Sequence, residues 1–70
     1  LKQLVRPRHV AMYLIRKYTE HSFPEIGRIF GNRDHATVQH ACKKIRSLVK
    51  QDVDMKSAVQ TLERSIYRGL

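Results

Sequence analysis

The sequence predicts an all-α fold, a small four-helix domain that contains a helix-turn-helix. Apolar residues recur at helical spacing in four segments, and capping residues or glycines mark the boundaries between them. No segment shows the alternation of apolar and polar residues that is typical of a strand. A chain of 70 residues is long enough for one small domain. We assign residues 6–70 to this domain and residues 1–5 to the end of a preceding linker or helix.

The first two helices are predicted from their start signals. The first should begin at Pro7, because proline is favoured in the first turn of a helix. Its predicted buried residues are Val10, Ala11, Leu14 and Tyr18. The second should begin after Ser22, because Ser22 and Glu25 have the spacing of a capping box. Its predicted buried residues are Ile26, Ile29 and Phe30. Gly27 should pack closely against the following helix, and Gly31 should end the second helix in the left-handed conformation.

The third and fourth helices are predicted from their apolar periodicity. The third should begin at Asp34 or His35, and its predicted buried face consists of Val38, Ala41, Cys42, Ile45, Leu48 and Val49. The pattern breaks at 51–54, where Asp54 should cap the last helix beside a hydrophobic staple of Val53 and Ala58. The predicted core face of that helix is Met55, Ala58, Val59, Leu62 and Ile66. Since these faces leave no apolar stripe for a second copy, we expect a monomer.

Charge points to an anionic partner. Residues 1–50 hold eleven Lys or Arg and three Asp or Glu, so they carry the whole formal net charge of +8. A basic segment of this kind fits nucleic acid. An anionic membrane surface or an acidic protein would also be attracted, so charge alone does not choose among them.

Several other function classes are disfavoured. A lone Cys42 cannot form an internal disulfide, and no apolar stretch has the length of a membrane span. His35 and His40 are five residues apart, which places them on different sides of a helix rather than at one metal ion. The polar residues at the start of the third helix would be exposed at its tip and would not converge on a substrate. We therefore expect no catalytic site, metal site, cofactor or membrane contact in this fragment.

A specific motif lies across the second and third helices. It combines Ile26-Gly27, Phe30-Gly31, the run Arg33-Asp34-His35-Ala36-Thr37-Val38, His40-Ala41 and Lys44-Ile45. This motif resembles the C-terminal DNA-binding domain of the bacterial replication initiator DnaA. The upstream residues Pro7-Arg8, Ala11-Met12, Leu14, Ser22 and Pro24-Glu25 also fit, so the resemblance covers about residues 6–49. The ATPase domain of that family has no counterpart in these 70 residues.

The resemblance implies sequence-specific binding of short boxes in double-stranded DNA at a replication origin, by a cytoplasmic, nucleoid-associated bacterial protein. Carried over by position, the base contacts would be made by Asp34, His35 and Ala36. The phosphate contacts would be made by Arg8, Arg16, Thr37 and His40, with backbone amides near Phe23 and Pro24. Further basic contacts would come from Arg6, Arg33 and Lys43. The family often has Thr or Ser where this chain has Ala36, and Lys is common where it has Arg16.

Alternatives remain open at this point. Asp34 could cap the third helix, contact a base or do both, and Thr37 could close its hydroxyl onto the same helix start instead of contacting a phosphate. Arg8 and Arg16 could belong to an ordinary solvated face. At the level of function, the alternatives are a helical adaptor that binds acidic peptides and a gene-regulatory helix-turn-helix domain. A regulatory protein could also dock on the same surface.

Overall fold

The computed structural model describes residues 5–68 and contains four helices. They are α1 (Pro7–Tyr18), α2 (Phe23–Ile29), α3 (His35–Gln51) and α4 (Val53–Arg68). No strand occurs within the described residues, and α2 and α3 form the helix-turn-helix, so the predicted fold class is confirmed. The predicted linker at residues 1–5 lies, apart from Val5, outside the described residues.

Local signals set the start of the first two helices, and the third also begins where it was predicted. Pro7 opens α1 as predicted. The capping box of α2 is complete, since Ser22 Oγ accepts from the Glu25 amide at 3.2 Å and the Glu25 carboxylate accepts from the Ser22 amide at 2.9 Å. Helix α3 begins at His35, with Asp34 as the residue before it. These three boundaries are confirmed.

The turn between α2 and α3 depends on two glycines. Gly31 has a φ of +80°, as predicted, and Asn32 follows at +60°. The Arg33 amide then donates to the Gly27 carbonyl at 2.8 Å. A Cβ at Gly27 would lie 2.1 Å from the Arg33 carbonyl oxygen but 3.7 Å from a Val38 methyl group. The close neighbour of Gly27 is therefore the backbone of the turn and not the following helix, which was predicted from the sequence.

A single residue, Asp52, joins α3 to α4. Its amide donates to the Leu48 carbonyl at 2.8 Å and closes α3. Its Oδ1 accepts from the amides of Asp54 at 2.9 Å and Met55 at 3.2 Å, and so caps α4. The prediction that Asp54 is this cap is wrong, because the break in the helix comes two residues earlier. The expected staple is also wrong, since Val53 is 81% exposed.

The core lies where α1 and α2 pack on α3. Its fully buried side chains are Met12, Ile26, Val38 and Ile45 together with Val59 of α4, and Ala41 and Cys42 are also buried. Met12, which the sequence analysis did not select, is the buried residue of α1, while Tyr18 is exposed. Ile29 was predicted to be buried and is 57% exposed, because the seven-residue α2 turns only its Ile26 side towards α3.

Helix α4 is less buried than predicted. Val59 is buried and Met55 half-buried, whereas Ala58, Leu62 and Ile66 are exposed. The physical reason is that α4 packs mainly on α3 and reaches α1 through the polar side chain of Glu63. The claim that the core consumes every apolar stripe is therefore wrong. The monomer inferred from it stays a prediction.

Candidate nucleic-acid interface

The tip of α3 presents two polar side chains side by side. The side chains of Asp34 and His35 are 67% and 62% exposed, and Asp34 Oδ1 lies 3.6 Å from His35 Nδ1. Although Asp34 occupies the N-cap position, its side chain accepts no capping hydrogen bond. The capping role left open for Asp34 is therefore wrong in this structure. Its carboxylate remains available to a donor outside the chain.

The next residues of α3 continue this surface. Ala36 is half-buried, and Thr37 and His40 are exposed. Among the described residues, no hydrogen bond involves the Thr37 hydroxyl, so it does not close onto the helix start. Thr37 and His40 are three residues apart and thus share one side of the helix. Of the residues predicted on and before α3, Asp34, His35, Thr37 and His40 are therefore accessible from outside, and Ala36 is so only in part.

Arg16 is held at the end of α1 by two contacts. Its guanidinium carbon lies 4.3 Å from the centroid of the Phe23 ring, and its Nη1 donates to the His21 carbonyl at 3.0 Å. At the start of the connecting loop, the Thr19 hydroxyl donates to the Ile15 carbonyl at 2.6 Å and accepts from the His21 amide at 3.3 Å. Arg16 thereby links α1 to the first residue of α2, across from the recognition-type helix α3.

The backbone of α2 offers fewer donors than expected. Pro24 has no N–H group. The Glu25 amide already donates to Ser22 Oγ, and the Ile26 amide donates to the Ser22 carbonyl at 3.0 Å. Phe23 is therefore the one residue of this turn with an amide left for an outside acceptor, within the part of the chain that the structure describes. Pro24 itself offers no amide, and the backbone contact expected near Phe23 and Pro24 stays a prediction that falls to the Phe23 amide.

Basic groups of α1 and α3 create a shared positive region. Partial burial lowers the pKa of His9, and the charges of Arg6, Arg8 and Lys44 lower the pKa further. Since Lys44 lies on α3 and the other two lie at the start of α1, both helices act on one site. The charge of Lys44 thus acts on His9 together with the charge of Arg8.

A groove of about 900 Å³ lies between α1 and α3. Its floor includes Tyr13, Phe23 and the buried Cys42, whose thiol pKa is raised by burial. Its cationic lining consists of Arg16, Lys17, Lys43, Arg46 and Lys50. Arg46 and Lys50 were missed as members of this surface, although the spacing of 39, 43, 46 and 50 along one helix face could have indicated it. Arg33 is exposed in the turn before α3 and does not line the groove.

Two other features complete the description. Within residues 5–68, no group of three or more His, Cys, Asp or Glu side chains is placed to hold a metal ion. Of the helices described, none is both long and apolar enough to cross a membrane.

Comparison with known proteins gives a consistent result. Residues 1–45 match the family described as bacterial dnaA protein helix-turn-helix. The chromosomal replication initiator protein DnaA of Lactobacillus delbrueckii subsp. bulgaricus is 48% identical over 68 residues, which cover 97% of this chain and 15% of that protein. The protein of the same name from Rhodopseudomonas palustris is 54% identical over 63 residues, which cover 90% and 13%. The chain thus spans about 15% of the length of the curated relatives that it matches.

Proposed function

This chain belongs to the bacterial DnaA helix-turn-helix family, and on that premise we propose that it recognises DnaA boxes in double-stranded DNA at a replication origin. It would act as the C-terminal module of a replication initiator, as a monomer in the bacterial cytoplasm. The observation that carries the proposal is the tip of α3, where two exposed side chains lie next to each other. They are the carboxylate of Asp34, which makes no capping hydrogen bond to the helix, and the imidazole of His35. In helix-turn-helix proteins, the N-terminal residues of the second helix meet base edges in the major groove.

The base contacts are assigned to the first residues of the tip. Asp34, whose carboxylate accepts no capping hydrogen bond from α3, can accept one from the amino group of cytosine or adenine. His35, whose Nδ1 lies 3.6 Å from Asp34 Oδ1, can form a hydrogen bond with the neighbouring base. Ala36 can place its methyl group against a thymine methyl. These three residues supply the sequence preference.

The phosphate contacts are assigned to the residues around the tip. On α3 these are Thr37 and His40, and on α1 they are Arg8 and Arg16, with the Phe23 amide nearby. Arg6, Arg33 and Lys43 add further positive charge. Such contacts fix the position of the protein on the duplex and strengthen binding to every sequence alike. Because these residues form a face of high positive charge, an acidic regulatory protein that docked there would compete with DNA.

The decisive experiment compares two duplexes at one fixed salt concentration near the physiological value. Fluorescence anisotropy is measured with a duplex that contains a DnaA box and with a scrambled duplex of the same composition. We expect the box to bind more tightly by roughly three orders of magnitude or more. Equal and weak binding to both duplexes would contradict the proposal, and would favour a general electrostatic surface or an adaptor for acidic partners.

A further inference from the structure

The contact between Arg16 and Phe23 joins two elements of the proposed interface. Arg16 lies in the last turn of α1, and Phe23 is the first residue of α2. The guanidinium lies over the aromatic ring at 4.3 Å, and one of its donors is used by the His21 carbonyl at 3.0 Å. A guanidinium has five N–H donors, so most of them remain for another acceptor. The ring and the carbonyl together restrict a side chain that would otherwise be flexible.

We propose that Phe23 is a positioning residue, whose ring holds the Arg16 guanidinium ready for one phosphate of the duplex. The inference rests on the function proposed above and adds a side-chain role to a residue that had been assigned only a backbone contact. A planar guanidinium can stack on a ring and still direct its edge towards a phosphate, whereas an ammonium group lacks this flat geometry. The stack therefore explains how Arg16 is oriented before DNA arrives.

A second cation at the end of α1 provides the contrast. Lys17 lies 5.9 Å from the Tyr13 ring and 5.4 Å from the Tyr18 ring, and its Nζ bonds Glu63 at 2.8 Å. Its charge is thus compensated within the chain. Arg16, by comparison, makes no ion pair with an acidic residue in the described part of the chain.

The position of Arg16 can be tested without DNA. Protons held over the face of an aromatic ring are shifted upfield in NMR spectra. We expect the Arg16 side-chain signals to move downfield in Phe23→Leu and to stay upfield in Phe23→Tyr, which keeps a ring. Arg16 signals that are the same in Phe23→Leu as in the original protein would overturn the proposal.

The consequence for binding is tested with a double-mutant cycle, at a temperature where circular dichroism shows every variant folded. Phe23→Leu should weaken binding by about two- to fivefold, the size of an exposed cation–π contact. It should have no effect in an Arg16→Ala background, and Phe23→Tyr should restore binding. An equal loss from Phe23→Leu with and without Arg16 would overturn the proposal, because the ring would then act on the fold alone.

Two further readouts separate this inference from the proposed function. The effect of Phe23→Leu should be equal on the box and on the scrambled duplex, since phosphates carry no sequence information. The salt dependence of Phe23→Leu should shift towards that of Arg16→Ala, which is expected to lose about one phosphate contact. If the original protein does not prefer the box, the proposed specificity fails, and the cycle is judged on the scrambled duplex. An effect confined to the box would also overturn the positioning role.

Discussion

Replacement of Gly27 by alanine is expected to destabilise the domain by moving the turn of the helix-turn-helix. The added Cβ would lie 2.1 Å from the Arg33 carbonyl oxygen and 3.2 Å from its carbonyl carbon. Ordinary contacts between such atoms are about 3.5 Å or longer, so the turn must shift by about 1 Å or more. Because the atoms that must move belong to the Arg33 backbone, the shift also lengthens the hydrogen bond of 2.8 Å from the Arg33 amide to the Gly27 carbonyl.

The expected cost follows from three opposing contributions. Overpacking costs roughly 1–3 kcal/mol, and a weakened hydrogen bond costs up to about 1 kcal/mol more. The better helix propensity of alanine returns about 1 kcal/mol. The net loss is about 2 kcal/mol, which corresponds to a fall in Tm of roughly 8–16 °C for a domain of this size.

Thermal unfolding followed by circular dichroism measures this loss. Gly31→Asn is the matched control, because a Cβ there meets nothing within 4 Å and asparagine tolerates the φ of +80°. We expect the control to cost less than about 1 kcal/mol. A Gly27→Ala variant that melts at or above the temperature of the original protein would refute the clash. A control that loses as much as Gly27→Ala would show that the distance to Arg33 is not the cause.

Three further predictions concern binding and pH. His35→Ala should cost about 1–3 kcal/mol on the box and reduce its preference over a scrambled duplex. The matched change His21→Ala, at an exposed histidine outside α3, should leave that preference unchanged. Unchanged discrimination by the His35 variant, measured by anisotropy, would contradict the base contact. Arg8→Ala should weaken binding to both duplexes and lower the slope of log affinity against log salt by about one unit; a loss on one duplex only would speak against a phosphate contact. Hydrogen bonds from Lys17 and the Tyr18 hydroxyl hold the pKa of Glu63 below its ordinary 4.5. This contribution to stability is therefore present above pH 4.5 and lost as the pH falls through the folded-state pKa. Glu63→Gln should lower stability by about 1 kcal/mol or less at pH 7, and a difference in melting that persists undiminished at pH 3 would contradict the assignment.

Helix starts were predictable because their signals are local. Pro7 and the pair of Ser22 and Glu25 lie within one turn of the boundaries that they mark, and both boundaries are as predicted. The last boundary was not, because Asp52 and Asp54 are equally suitable caps at the sequence level. The residue that caps α4 is decided by the position at which α3 ends. Helix α3 ends at Gln51, because the Asp52 amide makes the last hydrogen bond of that helix, to the Leu48 carbonyl, and the Asp52 side chain then caps α4.

Burial was predicted less well, because it depends on neighbours that a periodic pattern does not identify. Apolar spacing selects several faces of α1, and only the packing of α2 and α3 makes Met12 the buried residue. Ile66 has the correct spacing in α4 but lies where that helix has little to pack against.

In the candidate site, too, features set by adjacent residues were predictable, and contacts between separate helices were not. Its exposed tip followed from the order of the residues, since Asp34 and His35 are adjacent in the chain and precede a helix. The stack of Arg16 on Phe23 was not predictable, because six residues, including the loop between α1 and α2, separate the two in the sequence. Contacts of that kind require the angle between α1 and α2, which no local signal in the chain specifies.

The Asp34 carboxylate can serve either the stability of α3, by capping it, or the proposed contact with DNA. A side chain that capped α3 would contribute about 1 kcal/mol, a sizeable share of the roughly 3–5 kcal/mol that a core of this size supplies. The chain forgoes this contribution, since Asp34 occupies the capping position without making the bond. Laboratory selection for heat resistance alone would therefore be expected to favour changes that turn the side chain at this position back onto the first amides of α3. A variant that made this hydrogen bond would gain melting temperature, while its acceptor would no longer be available to DNA.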